Sequence, residues 1–389
     1  MKIEQRIWKE SSGWKPNSDE NQLKSADLVL AFGATEILKQ PERMQFLKGL
    51  YPGAHILGCS TAGEICGTQV SDDSLVVTAM RFEHTQIQGV HIHLGDVAGS
   101  VQAGERLAQS LPATLPENKP GARGKLTHVL VLSDGLKVNG SDLVRGLMNY
   151  LPSGVTVTGG LAGDGARFGE TLVFCDDRPE KDTVGALGFY GDRLKIAFGS
   201  LGGWDPFGPE RLITRSKGNV LYELDGVSAL GLYKKYLGEH ANGLPAAGLL
   251  FPLSLRIKTG DTPVVRTILA VDEKEQSMTF AGDVTEGAYA RLMKANFDRL
   301  IDGATGAAKT CYQAAGSISP DLAVLISCVG RKLVLKQRVE EEVEGVREVL
   351  GERTVLTGFY SYGEISPFVP GAKCELHNQT MTITTFSEV

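Results

Sequence analysis

The sequence predicts an α/β fold in which mixed, largely antiparallel sheets are flanked by helices and arranged as two related domains. Three observations lead there. A short apolar strand, an amphipathic helix, a second strand and a glycine-bracketed turn recur three times along the chain. Pairs of alternating strands lie between the copies, which excludes a purely parallel sheet. A length of 389 residues exceeds what one ordinary core accommodates.

Taken in order, residues 1–24 are polar, with Trp8 and Trp14 the only large anchors, and read as an N-terminal arm docked by its tryptophans. The first domain spans 25–225. Its first unit is the strand at 27–33, a helix opened by Pro41 with Met44, Leu47 and Leu50 on one face, the strand His55-Ile56-Leu57, and the turn Gly58-Cys59-Ser60-Thr61-Ala62-Gly63-Glu64-Ile65. Segments 74–82 and 85–94 alternate like a hairpin with one wet face. A helix carrying Val101, Leu107 and Leu111 then ends in a proline-rich loop at 112–120.

The second unit places a strand at 127–132, a helix with Leu143, Val144, Leu147 and Met148 on one face, a strand at 155–158, and the turn Gly159-Gly160-Leu161-Ala162-Gly163-Asp164-Gly165. Strands at 171–174, 184–190 and 194–199, a glycine-rich aromatic loop at 202–208 and a strand pair at 211–217 and 219–224 lead to a boundary at Asp225-Gly226. The second domain, 226–389, begins with a helix at 227–237 and strands at 251–257, 264–271 and 277–281. Asp283-Val284-Thr285-Glu286 has the form of a capping box, and so predicts the start of a long helix carrying Leu292, Met293, Phe297, Leu300 and Ile301. The third unit has its strand at 322–328, a helix with Val339, Val343, Val346 and Leu350, a strand at 355–357, and the turn Gly358-Phe359-Tyr360-Ser361-Tyr362-Gly363-Glu364-Ile365. A strand at 380–386 closes the chain.

Composition narrows the function. A net charge of -6 offers no basic field to nucleic acid. No apolar run reaches the ~20 residues of a membrane span, and the N-terminus lacks a signal-peptide core, so a cytoplasmic protein is expected. The six cysteines are scattered without a C-x-x-C pair and suit buried thiols. Nucleophile-elbow, Walker A and H-E-x-x-H patterns are absent, so no catalysis is expected.

Binding chemistry points to the three turns. Glycines at a strand end let backbone amides approach a ligand. Ser60, Thr61 and Ser361 add hydroxyls, and Glu64 or Glu364 could receive an amine. The candidate ligand-binding set is therefore Gly58, Ser60, Thr61, Gly63, Glu64, Gly159, Gly160, Gly163, Asp164, Phe359, Tyr360, Tyr362, Gly363 and Glu364. The same glycines would equally serve tight turns, and the same carboxylates would equally accept nearby amides. Among the seven histidines, His91 and His93 sit on a hairpin face and His128 begins a buried strand. His240 follows a helix in a small-residue stretch, and His377 stands at zinc-like spacing from Cys374 without an evident second half-site.

The turn at 58–65, the long motif Gly358-Phe359-Tyr360-Ser361-Tyr362-Gly363-Glu364-Ile365-Ser366-Pro367 and the run Cys374-Glu375-Leu376-His377-Asn378-Gln379-Thr380 resemble the FIST sensory proteins, with FIST N and FIST C domains in tandem from about Lys24 to the end. That resemblance implies a signal-input module that binds a small ligand such as an amino acid and reports to a histidine kinase or a cyclic-di-nucleotide enzyme. One branch, the NosP-type proteins, is implied to bind haem b and sense nitric oxide. In this chain His240 and His377 would be the candidate axial ligands. A homodimer and a scaffold without a ligand are the remaining alternatives.

Overall fold

The structure is a computed structural model and describes residues 1–16, 23–116, 124–258, 263–368 and 371–389. Residues 17–22 of the expected arm and 117–120 of the expected proline-rich loop lie outside the described residues.

The recurring unit of the sequence is the organising element. Unit one comprises β1 (Lys2–Lys9), β2 (Leu28–Gly33), α1 (Pro41–Leu50), β3 (His55–Ser60), β4 (Glu64–Cys66), β5 (Gln69–Ser71) and β6 (Ser74–Arg81). Unit two comprises β7 (Gln86–His93), α2 (Ser100–Ser110), β8 (Gly124–Ser133), α3 (Gly140–Tyr150), β9 (Thr156–Leu161), β10 (Val173–Cys175) and β11 (Thr183–Tyr190). Unit three comprises β12 (Leu194–Leu201), α4 (Phe297–Ala314), β13 (Leu322–Cys328), α5 (Val339–Leu350), β14 (Val355–Ser361), β15 (Gly363–Pro367), β16 (Cys374–His377) and β17 (Met381–Glu388).

Each unit builds the same sheet. The central strand pairs in parallel with the strand that follows the crossover helix: β2 with β3, β8 with β9, β13 with β14. On its other edge it pairs antiparallel with β6, β11 or β17, which in turn pairs with β1, β7 or β12. The fifth strand comes from a neighbouring unit. β4 leaves unit one and pairs with β14 of unit three; β15 leaves unit three and pairs with β9 of unit two; β10 leaves unit two and pairs with β3 of unit one. The donations close a ring of three, so no unit completes its own sheet.

Alternation on the central strands explains how the sheets stack. Leu28, Leu30 and Phe32 of β2, Leu130 and Leu132 of β8, and Leu322, Val324 and Ile326 of β13 all enter one shared core. The intervening residues, such as Val29, Val131 and Leu325, face outward and are covered by the helices. Burial on both faces is why these strands read as unbroken apolar runs. In the shared core the rings of Phe32 and Phe359, from units one and three, lie 4.7 Å apart.

Between β12 and α4 the chain builds a lobe with its own core. Its strands include Trp204–Lys217, Val220–Leu224, Leu253–Arg256, Val264–Arg266, Ser277–Phe280 and Tyr289–Ala295, packed on a helix at Ala229–Leu237. Asp225-Gly226, marked in the sequence as a boundary, forms the tight turn after Val220–Leu224.

Three sequence expectations need correction. Segments 74–82 and 85–94 do not pair as a hairpin: β6 lies between β1 and β2, whereas β7 pairs with β11 in the sheet of unit two. Residues 2–9 form β1, paired along its full length with β6, instead of lying in an arm. The polar residues that suggested an arm are matched internally: Arg6 is buried against Glu4, and Gln5 donates to the Leu356 carbonyl at 2.8 Å. The capping-box pattern at 283–286 opens no helix. Residues 289–295 are a strand paired with Trp204–Lys217 and Leu253–Arg256, and the helix begins at Phe297, where the Asn296 side chain accepts from the Arg299 amide.

Candidate functional site

The three turns converge where the units exchange strands. The Ala62 amide donates to the Tyr360 carbonyl at 2.8 Å, the Tyr362 amide to the Leu161 carbonyl at 3.2 Å, and the Gly163 amide to the Ser60 carbonyl at 2.9 Å. This cyclic set aligns Ser60 with Leu161 and Tyr360, and Ala62 with Gly163 and Tyr362. The register makes Glu64 of unit one equivalent to Glu364 of unit three, whereas Asp164 stands one position earlier in unit two.

The carboxylates of the turns find their partners within the protein. Glu64 accepts from the Thr61 hydroxyl and from the Ser74 amide and hydroxyl at 3.1 and 2.6 Å. Glu364 repeats the arrangement with the Ser361 hydroxyl at 2.7 Å and the Thr380 amide and hydroxyl at 3.1 and 2.8 Å. Both carboxyls are buried, and burial pushes Glu64 up to about 7 and Glu364 up to about 8 against the opposing pull of those donors. Asp164 accepts from the amides of Phe168, Gly169 and Glu170, each at 2.9 Å, and from the Tyr362 hydroxyl. All three acids therefore hold their own turns. Tyr360 donates to buried Glu342 at 2.7 Å, Phe359 lies in the shared core, and the Ser60 hydroxyl accepts from the Leu172 amide.

The glycines have a packing cause. A Cβ on Gly58 would stand 2.1 Å from the Ala31 carbonyl oxygen, on Gly159 1.8 Å from that of Val131, and on Gly358 1.8 Å from that of Leu325. These are equivalent positions, one in each unit, where the parallel neighbour approaches too closely for any side chain. Gly63, at φ +136°, passes beside the Lys332 side chain, while Gly160, Gly163 and Gly363 pack against Ile326, Ala62 and Leu161.

Neither candidate axial histidine lines the clefts beside α1 and α3 described below. His377 is buried, its Nε2 lies 2.8 Å from the Ser366 carbonyl, and burial pushes it down to about 4. Its neighbour Cys374 donates to the Val157 carbonyl. His240 is exposed, its ring 5.4 Å from that of Phe251. The surroundings of these two residues do not fit a porphyrin. His128 is a core residue, with its ring nitrogens 2.7 and 3.0 Å from the hydroxyls of Thr156 and Thr158.

Open space lies instead at the outer side of the unit interfaces, where the crossover helix of one unit faces the segment donated by the next. At the first interface α1 faces residues 170–181 across a cleft of about 810 Å³, rimmed by Glu170, which pairs with both Lys39 and Lys181. At the second, α3 faces residues 373–376 across a cleft of about 690 Å³. At the third, α5 is met directly by β5, whose Val70 amide donates to Glu340 at 3.1 Å.

The second cleft has the richest chemistry. The lobe supplies its far wall, so three parts of the molecule meet there. Val144 and Met148 of α3 face Leu255 and Val264 of the lobe, and Arg266 and Leu376 also line it. Asn139 ties the walls together: it caps α3 by accepting from the Ser141 and Asp142 amides and donates to Asp283 of the lobe at 2.7 Å. β16 leads back to the turns, since Leu376 pairs with Ile365 and His377 with Glu364. None of these cleft residues belonged to the sequence-derived set. The legible signal was Arg266, a lone cation inside the apolar run Val264-Val265-Arg266-Thr267-Ile268-Leu269.

Comparison with known proteins gives a family. The FIST N domain family model matches residues 27–227, and the FIST C domain family model matches residues 229–367. An uncharacterized protein of Methanocaldococcus jannaschii is 21% identical over 326 residues, 80% of this chain; the chain spans 62% of that relative's length. A crystal structure of chorismatase aligns over 99% of this chain and 98% of that chain, with 8% identity and a TM-score of 0.35, which carries no argument about fold or function. Among the described residues no helix is long and apolar enough to cross a membrane.

Proposed function

The chain belongs to the FIST family, and from that premise we propose that it is a cytoplasmic signal-input protein. It takes a small, amino-acid-like ligand into the cleft between α3, β16 and the lobe, and regulates a signalling enzyme such as a histidine kinase or a cyclic-di-nucleotide enzyme. FIST domains are associated with sensory signal-input roles. What supports the cleft as the input is its construction: unit two, unit three and the lobe each contribute a wall. A ligand that touches three bodies binds one arrangement of them better than others, and that difference is what shifts a population. The volume of about 690 Å³ lies in the range of small-molecule sites.

The haem reading gains no comparable support, because His240 is exposed away from both clefts and His377 is engaged in the core. The test is thermal unfolding of the whole chain against a panel of amino acids and related metabolites. A ligand at a hundredfold excess over its Kd adds about 2.7 kcal/mol, a shift of several degrees. Met148→Trp, which fills the cleft from a half-exposed position on α3, is expected to abolish the response. A flat panel, or a response that Met148→Trp leaves intact, defeats this reading.

A further inference from the structure

Among the described residues three arginines are buried: Arg6, Arg266 and Arg331. Arg6 has Glu4 in ion-pair contact and Arg331 has Glu342. Arg266, 6% exposed, has no carboxylate in such contact among the described residues. Its Nε donates to the Asp283 carbonyl at 3.0 Å, and its Nη1 to the Val265 and Leu376 carbonyls at 3.2 and 3.0 Å. Nη2 has no hydrogen-bond partner among the described residues, and Arg266 lines the α3–β16–lobe cleft.

A buried guanidinium held only by neutral carbonyls is incompletely compensated. Burial pushes Arg266 down to about 10 while Glu375 and Asp283 act on it through space, so it remains a cation at neutral pH. The other guanidiniums of the cleft are engaged. Arg145 pairs with Asp142 and lies 3.6 Å from Asp283, and Arg256 makes two bonds to Glu210 at 2.6 and 2.5 Å.

We propose that the cleft recognises its ligand by a single carboxylate received on Nη2 of Arg266, with the apolar body of the ligand lying between Met148 and Val144 of α3 and Leu255 and Val264 of the lobe. This rests on the reading of the cleft as the ligand site. One uncommitted guanidinium nitrogen suits a monoanion. A phosphate dianion would meet that donor and exposed Lys373, but also two nearby carboxylates, Asp283 and Glu375. The same two acids favour a carboxylate that also carries an ammonium group.

Calorimetric titration of the whole chain with hexanoate, L-leucine, hexanamide and hexyl phosphate tests the assignment. Hexanoate is expected to bind at least tenfold tighter than hexanamide and tighter than hexyl phosphate, and leucine tighter than hexanoate. Arg266→Gln is expected to bring acid and amide within about twofold, Arg266→Lys to restore part of the preference, and Met148→Trp to weaken every probe. Equal binding of acid and amide by the unaltered chain, with Met148→Trp weakening both, overturns the carboxylate assignment and leaves the cleft standing; this comparison holds even where Arg266→Gln fails to fold. Acid binding indifferent to Met148→Trp removes the cleft itself. Preference for hexyl phosphate, or no binding by any probe, also overturns the proposal.

Discussion

Glu364 offers a test of what the converging turns do. It is fully buried, its carboxyl is held by Ser361 and Thr380, and burial raises it to about 8. In the unfolded chain a glutamate titrates near 4.3. A folded pKa above the unfolded one gives stability that is fully present at low pH and is lost as pH rises toward about 8. Between pH 6.5 and 8 the folded chain keeps a proton that the unfolded chain has released, which amounts to about 1.4 kcal/mol per pH unit, or on the order of 2 kcal/mol across that window. Glu64 acts in the same sense up to about 7. His128 and His377, pushed down by burial to about 3 and about 4, act in the opposite sense and only below the ordinary histidine value, near 6.5. Urea unfolding at pH 6.5, 7.2 and 8 of the unaltered chain and of Glu364→Gln isolates the effect. The glutamine cannot ionise, so its stability should fall less steeply by about 1.4 kcal/mol per unit. Its overall level should drop by about 1–3 kcal/mol, because the amide replaces one acceptor oxygen with a donor. Parallel pH profiles for the two proteins would refute the reasoning.

Three further outcomes follow from the same geometry. Gly358→Ala forces a methyl against the Leu325 carbonyl and is expected to cost about 3 kcal/mol or more in chemical unfolding, whereas Gly49→Ala, on an exposed helix position with open space, should gain up to about 1 kcal/mol; similar costs at both sites would contradict the packing explanation. Arg331→Met strips buried Glu342 of its partner and should cost about 3–5 kcal/mol, with the double change Arg331→Met/Glu342→Leu recovering part of it in a thermal melt. A fragment of residues 1–225 lacks β14 and β15 and leaves one edge of β4 and one edge of β9 without its partner strand; gel filtration should find it aggregated, and a well-behaved monomer would count against the ring of exchanged strands.

How much was legible depended on the range of the interaction. The units could be read because Leu28 to Phe32, Val129 to Leu132 and Leu322 to Cys328 are apolar on both faces, a local property of each strand. The turns could not be resolved from sequence between ligand contact and packing, because glycine has one letter for two causes. Gly58, Gly159 and Gly358 answer to a carbonyl on a neighbouring strand, and no window of sequence contains that contact. The capping box at 283–286 failed for a related reason: pairing of residues 289–295 with two distant strands outweighs a local signal. Arg266 was visible as a charge among apolar residues, but its significance lies in the partner it lacks, and that requires the fold.

The ring of exchanged strands also bears on how such a chain can change over generations. Three equal subunits assembled from separate copies would carry three identical interfaces, and any substitution would appear at all of them at once. Here the three repeats are encoded separately, so each interface accumulates its own residues. One has been filled by β5, one is laced by Lys39, Glu170 and Lys181, and one has been roofed by an inserted lobe that brings Arg266. Three units carried on one chain can therefore specialise a single opening without disturbing the other two.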